Sequence, residues 1–262
     1  MKTTLFLSAF LCSSLFVVSC KKEKDNNTDN NPEQMGPQPG KLVHYPFNGN
    51  VRDTSGNSLN ALNVYNIIFE ADRFGRPNEA AVFGSGPNNS TITVPSVSAK
   101  LSGLPFSISI WFKTADPNSS QALIKADGGE YNNTSGFWLQ LGKVGPGKMT
   151  FGFGDNSSLN ETAINTITTP ALFSANNWYH IVVNVRGAND MDFYINGEKN
   201  TSCSYAGTAT SMVFCTQANQ LIGSFGFHPG FTTFLNGSID DYRVYNKILS
   251  PQEINALYSF RP

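Results

Sequence analysis

Alternation with a period of two dominates this chain. In Phe106–Lys113 the residues Phe106, Ile108, Ile110 and Phe112 take one side, and Ser107, Ser109, Trp111 and Lys113 take the other. That is the pattern of a strand with one buried face. Trp178–Arg186 repeats it, with Tyr179, Ile181, Val183 and Val185 predicted inward and Trp178, His180, Val182, Asn184 and Arg186 outward. Shorter runs at Leu42–Phe47, Glu79–Gly84, Ser90–Val94, Gln121–Ala126, Gly136–Gly142, Lys148–Phe153 and Gln220–Gly223 read the same way, punctuated by turn residues. Pro46 predicts an edge position or a bulge. Asn196-Gly197, within Asp192–Glu198, predicts a tight hairpin. About a dozen short strands at this spacing predict an all-β, two-sheet antiparallel sandwich of jelly-roll type.

The end of the chain breaks the pattern. Gly237–Tyr245 is a strand whose β-formers alternate with Asp240, Asp241 and Arg243. A short C-terminal helix follows. Ser250 is its N-cap, Pro251 fits the first turn, and Glu253 completes a capping box. Ile254, Leu257 and Tyr258 form one apolar face. The closing strand needs a partner, and Leu42–Phe47 is the expected one.

Composition narrows the class. The 262 residues carry 14% charged side chains and a net charge of −1, with 20 Phe and 23 Gly. No basic patch or arginine cluster is present, so nucleic-acid binding is not expected. Residues 1–19 have a basic start and then an apolar run too short to span a bilayer, the pattern of an export signal. Val17-Val18-Ser19-Cys20 resembles the lipobox of bacterial lipoproteins. The resemblance implies a lipid anchor on Cys20 and a place in the cell envelope, at the outer membrane or cell surface. Residues 20–40 are almost devoid of apolar side chains and are expected to be a disordered tether, leaving 41–262 as one domain. In an exported protein, Cys203 and Cys215 are expected to form a disulfide, worth on the order of 3 kcal/mol; a metal pair is the alternative.

Six segments carry a further resemblance: Tyr45-Pro-Phe-Asn-Gly-Asn50 with Asp53-Thr-Ser-Gly-Asn57, Phe106-Ser-Ile-Ser-Ile-Trp-Phe112, Trp178-Tyr-His-Ile-Val182, Phe193-Tyr-Ile-Asn-Gly-Glu198, Leu221-Ile-Gly-Ser224 and Gly237–Tyr245. In this order they are similar to LamG-like jelly rolls of the concanavalin A-like lectin/glucanase superfamily, over essentially residues 41–262. The fold hosts lectins, adhesion modules and glycosidases, so it does not by itself give the function. The resemblance implies a structural calcium where the N-terminal loop meets the last strand. It carries to Asp240 best, and to Asp53 and Asn48 less directly, with oxygen ligands suiting a hard cation. The competing reading has Asp53 capping its own turn and Asp240 paired with Arg243 or a backbone amide.

The chemistry points to binding. A glycosidase needs two carboxyls across a cleft. Asp190 and Asp192 have the nearest spacing, but they precede a hairpin and read as solvated, while Glu130 and Glu161 stand singly. Sugar sites use aromatic faces with amides and Arg. On the faces opposite the core set, Trp111, Trp138, His180, Asn184, Arg186 and Tyr194 are the candidates, with Tyr131 and Phe231 in loops. For each Trp taken singly, packing under the loops is the favoured reading, with a cleft lined by at least one of these aromatics as the alternative. The expectation is a non-catalytic, carbohydrate-binding module of a lipid-anchored exported protein. The alternatives are a glycan-active hydrolase or lyase with an unrecognised site, and an adhesion domain for a protein partner.

Overall fold

The alternating runs at 106–113 and 178–186 form two long inner strands that pair antiparallel, Ile110 opposite Ile181 and Ile108 opposite Val183. The computed structural model describes residues 39–84, 89–126, 134–158, 163–214, 219–225 and 233–261. In chain order its strands are β1 (Lys41–Tyr45), β2 (Asn63–Tyr65), β3 (Ile68–Glu70), β4 (Ala80–Phe83), β5 (Thr91–Val94), β6 (Phe106–Thr114), β7 (Gln121–Ala126), β8 (Phe137–Leu141), β9 (Met149–Gly154), β10 (Ile164–Thr168), β11 (Tyr179–Gly187), β12 (Asp190–Ile195), β13 (Glu198–Asn200), β14 (Ser204–Gly207), β15 (Gln220–Ile222) and β16 (Gly237–Tyr245). Helix α1 (Pro251–Ser259) follows.

Two sheets result. The first runs β13-β12-β11-β6-β16-β4-β3, with β1 also on β16; the second runs β14-β10-β9-β8-β7-β15-β5-β2. Their inner faces meet in one core that includes Phe106, Ile108, Ile110, Phe112, Leu139, Phe151, Phe153, Ile181 and Val183. Burial of these side chains at about 25 cal/mol per Å² is the main favourable contribution to folding.

The expected closure is present: β1 pairs antiparallel with β16, Tyr45 opposite Tyr242 and His44 opposite Arg243. Strand β16 meets β6 along one side. Along the other side it meets β4 through Gly237–Ile239, then β1 through Tyr242–Tyr245. A bulge falls where the partner changes, between Asp240 and Arg243. There Asp241 adopts a left-handed φ of 54°. β1 stops before Pro46, as a residue without an N–H requires. The hairpin at Asn196-Gly197 has both residues at positive φ, the geometry of a type I′ turn. Gly197 is also needed for space, since a Cβ there would lie 2.7 Å from Asn255 Oδ1 on α1.

α1 starts as the sequence predicts. Glu253 N donates to Ser250 Oγ at 3.2 Å, and Ser250 N donates to Glu253 Oε2 at 2.9 Å. Ile254 and Leu257 pack onto Val182, Tyr194 and Tyr245, on the outer face of the first sheet. Ser250→Ala removes one arm of the box and is expected to cost about 1 kcal/mol in urea unfolding, with the glycine-bearing hairpin beneath the helix unchanged.

Candidate functional site

The outer face of the first sheet holds most of the residues predicted to bind ligand, and α1 with its flanking chain roofs it. Trp111 is buried, stacked on His180 at 5.1 Å and on Tyr258 of α1 at 5.6 Å. His180 is buried too, with Nε2 2.9 Å from Ser109 Oγ. Asn184 donates from Nδ2 to the Leu249 carbonyl at 2.8 Å and accepts from Ser107 Oγ at 2.6 Å, holding down the chain that enters α1. Tyr194 lies under the helix. These four are packing and fastening residues, which corrects their expected role as an open sugar platform. Outward alternation identified the face correctly, but α1 fills it. Arg186 stays half-exposed and is committed to Asp190 at 2.8 Å and to Asp192. Tyr131 and Phe231 lie outside the described residues.

The side chains expected to hold calcium are engaged within the protein. Asp53 Oδ1 accepts from His44 N at 3.0 Å and Ser55 N at 2.9 Å, and Oδ2 accepts from Ser55 Oγ at 2.8 Å and Leu59 N at 3.0 Å. Its carboxylate organises its own loop. Asp240 bonds to Arg73, whose guanidinium also lies 3.6 Å from Asp241. Asp241 in turn pairs with Arg243 at 2.8 Å and with His44 Nε2 at 2.8 Å. Asn48 is exposed, and its carbonyl accepts from Asn50 Nδ2. Among the described residues no three His, Cys, Asp or Glu side chains gather as a metal site. The cations beside Asp240 and Asp241 are arginines. Cys203 carries a free thiol in the structure, and its expected partner Cys215 lies outside the described residues.

This buried charge cluster has strong electrostatics. Burial pushes the Asp240 carboxyl up, against the pull of Arg73. Burial would also raise Asp241, but Arg243, His44 and Arg73 together hold it far below the usual carboxylate range. Burial pushes His180 down from 6.5 to about 3, and His44 down as well. The clue that sequence reading missed is Arg73, which sits 167 residues from Asp240.

The second sheet presents a different outer surface. Trp138 is buried flat against Gly152, where a Cβ would lie 2.3 Å from its Cζ2, and Lys143 Nζ sits 4.2 Å from its ring centre. Trp138 therefore packs; it does not offer an open face as expected. Among the described residues the most exposed aromatic of this sheet is Tyr205 on the edge strand β14, 57% exposed; Tyr65 on β2, at the opposite margin, is 50% exposed. Its hydroxyl donates to the Met191 carbonyl at 2.9 Å, which fixes the ring. Two adjoining hollows flank this edge. One, of about 140 Å³, is lined by Tyr205, Asn165, Asn189 and Met191. The other, of about 260 Å³, is lined by Lys143, Thr150, Ile164 and Thr166, and both share Thr166, Ala206 and Gly207. Asn165 donates to the Ala188 and Ala209 carbonyls at 2.7 and 2.5 Å, while its buried Oδ1 has no hydrogen-bond partner among the described residues. A third, shallower groove of about 570 Å³ lies between residues 50–61 and strands β2 and β3. No carboxylate lines any of the three. Asp190 and Asp192 face Arg186 and Lys199, not each other across a cleft.

A family model described as the concanavalin A-like lectin/glucanases superfamily matches residues 85–255. A search of curated proteins finds no match. Among solved structures, domain 4 of AbnA, an extracellular GH43 arabinanase from Geobacillus stearothermophilus in complex with arabinotriose, is similar at 19% identity and TM-score 0.60. The match covers 84% of this chain and 98% of that one. The binding domain of Paraclostridial Mosquitocidal Protein 1 is similar at 17% identity and TM-score 0.62, covering 84% of this chain and 52% of that one. A botulinum neurotoxin type C structure, whose cell entry depends on two ganglioside molecules, is similar at 18% identity and TM-score 0.61, covering 84% and 50%. The chain thus spans about half the length of the two toxin chains. At these identities the likeness shows the fold, a jelly roll shared with binding domains.

The neutral, buried His180 generates a pH prediction. Its folded pKa lies below its unfolded value, so it binds fewer protons when folded, and stability is lost as pH falls through 6.5 towards 3. Between pH 7 and pH 5 His180→Gln is expected to lose about 2 kcal/mol less than the unaltered protein in denaturant unfolding. The comparison of slopes removes the opposing contribution of Asp240.

Proposed function

The chain belongs to the concanavalin A-like lectin/glucanases superfamily, and from that premise we propose that it is a non-catalytic carbohydrate-binding domain of a lipid-anchored exported protein. One observation carries the reading: the Tyr205 edge. A half-exposed aromatic ring, fixed through its hydroxyl, stands beside two hollows lined by amides and hydroxyls. Sugar rings stack their C–H faces on such aromatics, and amides and hydroxyls serve their hydroxyl groups. Because Tyr205 is pinned at both ends of its side chain, little rotamer entropy is lost on binding. Asp190 and Asp192, the carboxylates that act on the Tyr205 hydroxyl, are held by Arg186 and Lys199, which argues against acid–base hydrolysis by them. The arabinotriose complex of the similar AbnA domain supports the ligand class.

A protein partner is the second reading. It is favoured by the exposed apolar strip of Leu62, Val64, Tyr65 and Ile68 on β2, β3 and their flanks. The anchor rests on the Val17–Cys20 segment, which lies outside the described residues.

Pull-down of the folded chain on a panel of insoluble and immobilised polysaccharides tests the main reading. Retention by at least one glycan is expected, and Tyr205→Ala is expected to weaken it roughly tenfold or more, with the melting temperature lowered by only a few degrees through loss of the Met191 hydrogen bond. A folded protein that no glycan retains would sink the proposal. For the anchor, Cys20→Ser is expected to move the protein from the membrane fraction to the soluble one; no redistribution would remove Cys20 as the lipid site.

A further inference from the structure

We propose that the groove between residues 50–61 and strands β2 and β3 is a second subsite, which takes an anionic sugar unit, carboxylate or sulfate ester, through Arg52. The inference rests on the carbohydrate reading but not on Tyr205. The groove's volume of about 570 Å³ falls within the roughly 300–1,000 Å³ of small-molecule sites. Its apolar lining is Val51, Ala61, Val64 and Phe69. Three of these, Val51, Ala61 and Phe69, pack against the domain core, so the floor is rigid. Val64 is 42% exposed, an apolar surface left open on an edge strand.

The polar side of the groove is Asn50, Arg52 and Asn60. Two of these side chains spend their oxygens on the loop itself: Asn50 Oδ1 accepts from Arg52 N, and Asn60 Oδ1 accepts from Asp53 N, both at 3.0 Å. Asp53 locks the same loop through its four accepted bonds. The backbone under Arg52 is therefore held in place before any ligand arrives, which lowers the ordering cost of binding. The guanidinium itself is uncommitted. Arg73, Arg76, Arg186 and Arg243 each pair with carboxylates, and Arg261 lies over Phe74. Among the described residues Arg52 is the one arginine with neither an acidic nor an aromatic partner. A guanidinium presents two parallel donors matched to a carboxylate or sulfate. No acidic side chain lines the groove to compete for it. The loop expected to hold a cation instead displays one, and its complement is an anion.

Equilibrium pull-down of the full chain in neutral detergent tests this with three polymers: alginate for carboxylates, dextran sulfate for sulfates and dextran as the uncharged control. Retention on alginate or dextran sulfate is expected, falling as salt is raised. The affinity is expected to drop roughly ten- to a hundredfold in Arg52→Gln, with no change in melting temperature because the side chain is exposed. Lys100→Gln, an exposed cation away from the groove, is expected to bind as the unaltered protein does. Which of the two polyanions is retained identifies the anionic group. The proposal is overturned if Arg52→Gln binds normally, or if Lys100→Gln weakens binding as much. It is also overturned, with the carbohydrate reading intact, if both polyanions pass through while uncharged glycans are retained. Failure of every polysaccharide, acidic and neutral, removes both.

Discussion

Strand β16 has to satisfy two different neighbours along one edge, and the domain's closure depends on how it does so. β4 serves its first three residues and β1 its last four. A straight strand would put Asp240 and Asp241 on opposite faces, burying one carboxylate in the apolar core. The bulge, with Asp241 in the left-handed region, sends both to the outer face and returns Tyr242 and Val244 to the core. Two carboxylates side by side under a helix would repel and would lack water. Arg73, Arg243 and His44 compensate them, each from a different part of the chain. Removing one partner of such a cluster leaves a buried charge uncompensated, which is far more costly than the intact cluster is favourable. Its value lies in specifying which segments meet.

That cluster also explains the roof. Arg73 donates to the Phe260 carbonyl at 3.2 Å, and the Arg243 guanidinium lies 5.3 Å from the Phe260 ring. The chain end is thereby tied to the same charges that close the sheet, while Ile254 and Leu257 cover the apolar half of the face. With one outer face covered by α1, the domain is left with its edges and its second sheet for recognition. Both open sites lie at sheet margins: the Tyr205 edge beside β14 and the groove where β2 and β3 end the two sheets.

Much of the architecture was legible because it is local. The alternation in β6 and β11, the Asn196-Gly197 turn and the Ser250 capping box each reside within a few residues, and the structure has all of them. The closing of β1 on β16 followed from the need of a terminal strand for a partner. Strands β2, β3, β10 and β14 were not legible. β14 is exposed along its whole length, so pairing with β10, and not a pattern of its own, makes it a strand. The candidate site was the least legible part. Period-two alternation separates a core face from an outer face, but it cannot say whether the outer face meets water or a helix. For Trp111, His180, Asn184 and Tyr194 it meets α1 and the chain that leads into it.

The acidic residues show the same limit in a form that bears on function. Asp53 and Asp240 have the chemistry of calcium ligands, and in sequence nothing distinguishes a carboxylate that will hold a metal from one that will hold its own backbone. What decides is the count of donors that folding brings to each oxygen. Asp53 receives four, and Asp240 receives a guanidinium from 167 residues away. A group satisfied internally has little left to offer a ligand, and the converse identifies binding groups: in a chain with nearly balanced charge, the polar side chains that folding leaves unmatched at a concave surface are the ones available for recognition. Arg52 meets that condition, while the arginines of the charge cluster do not.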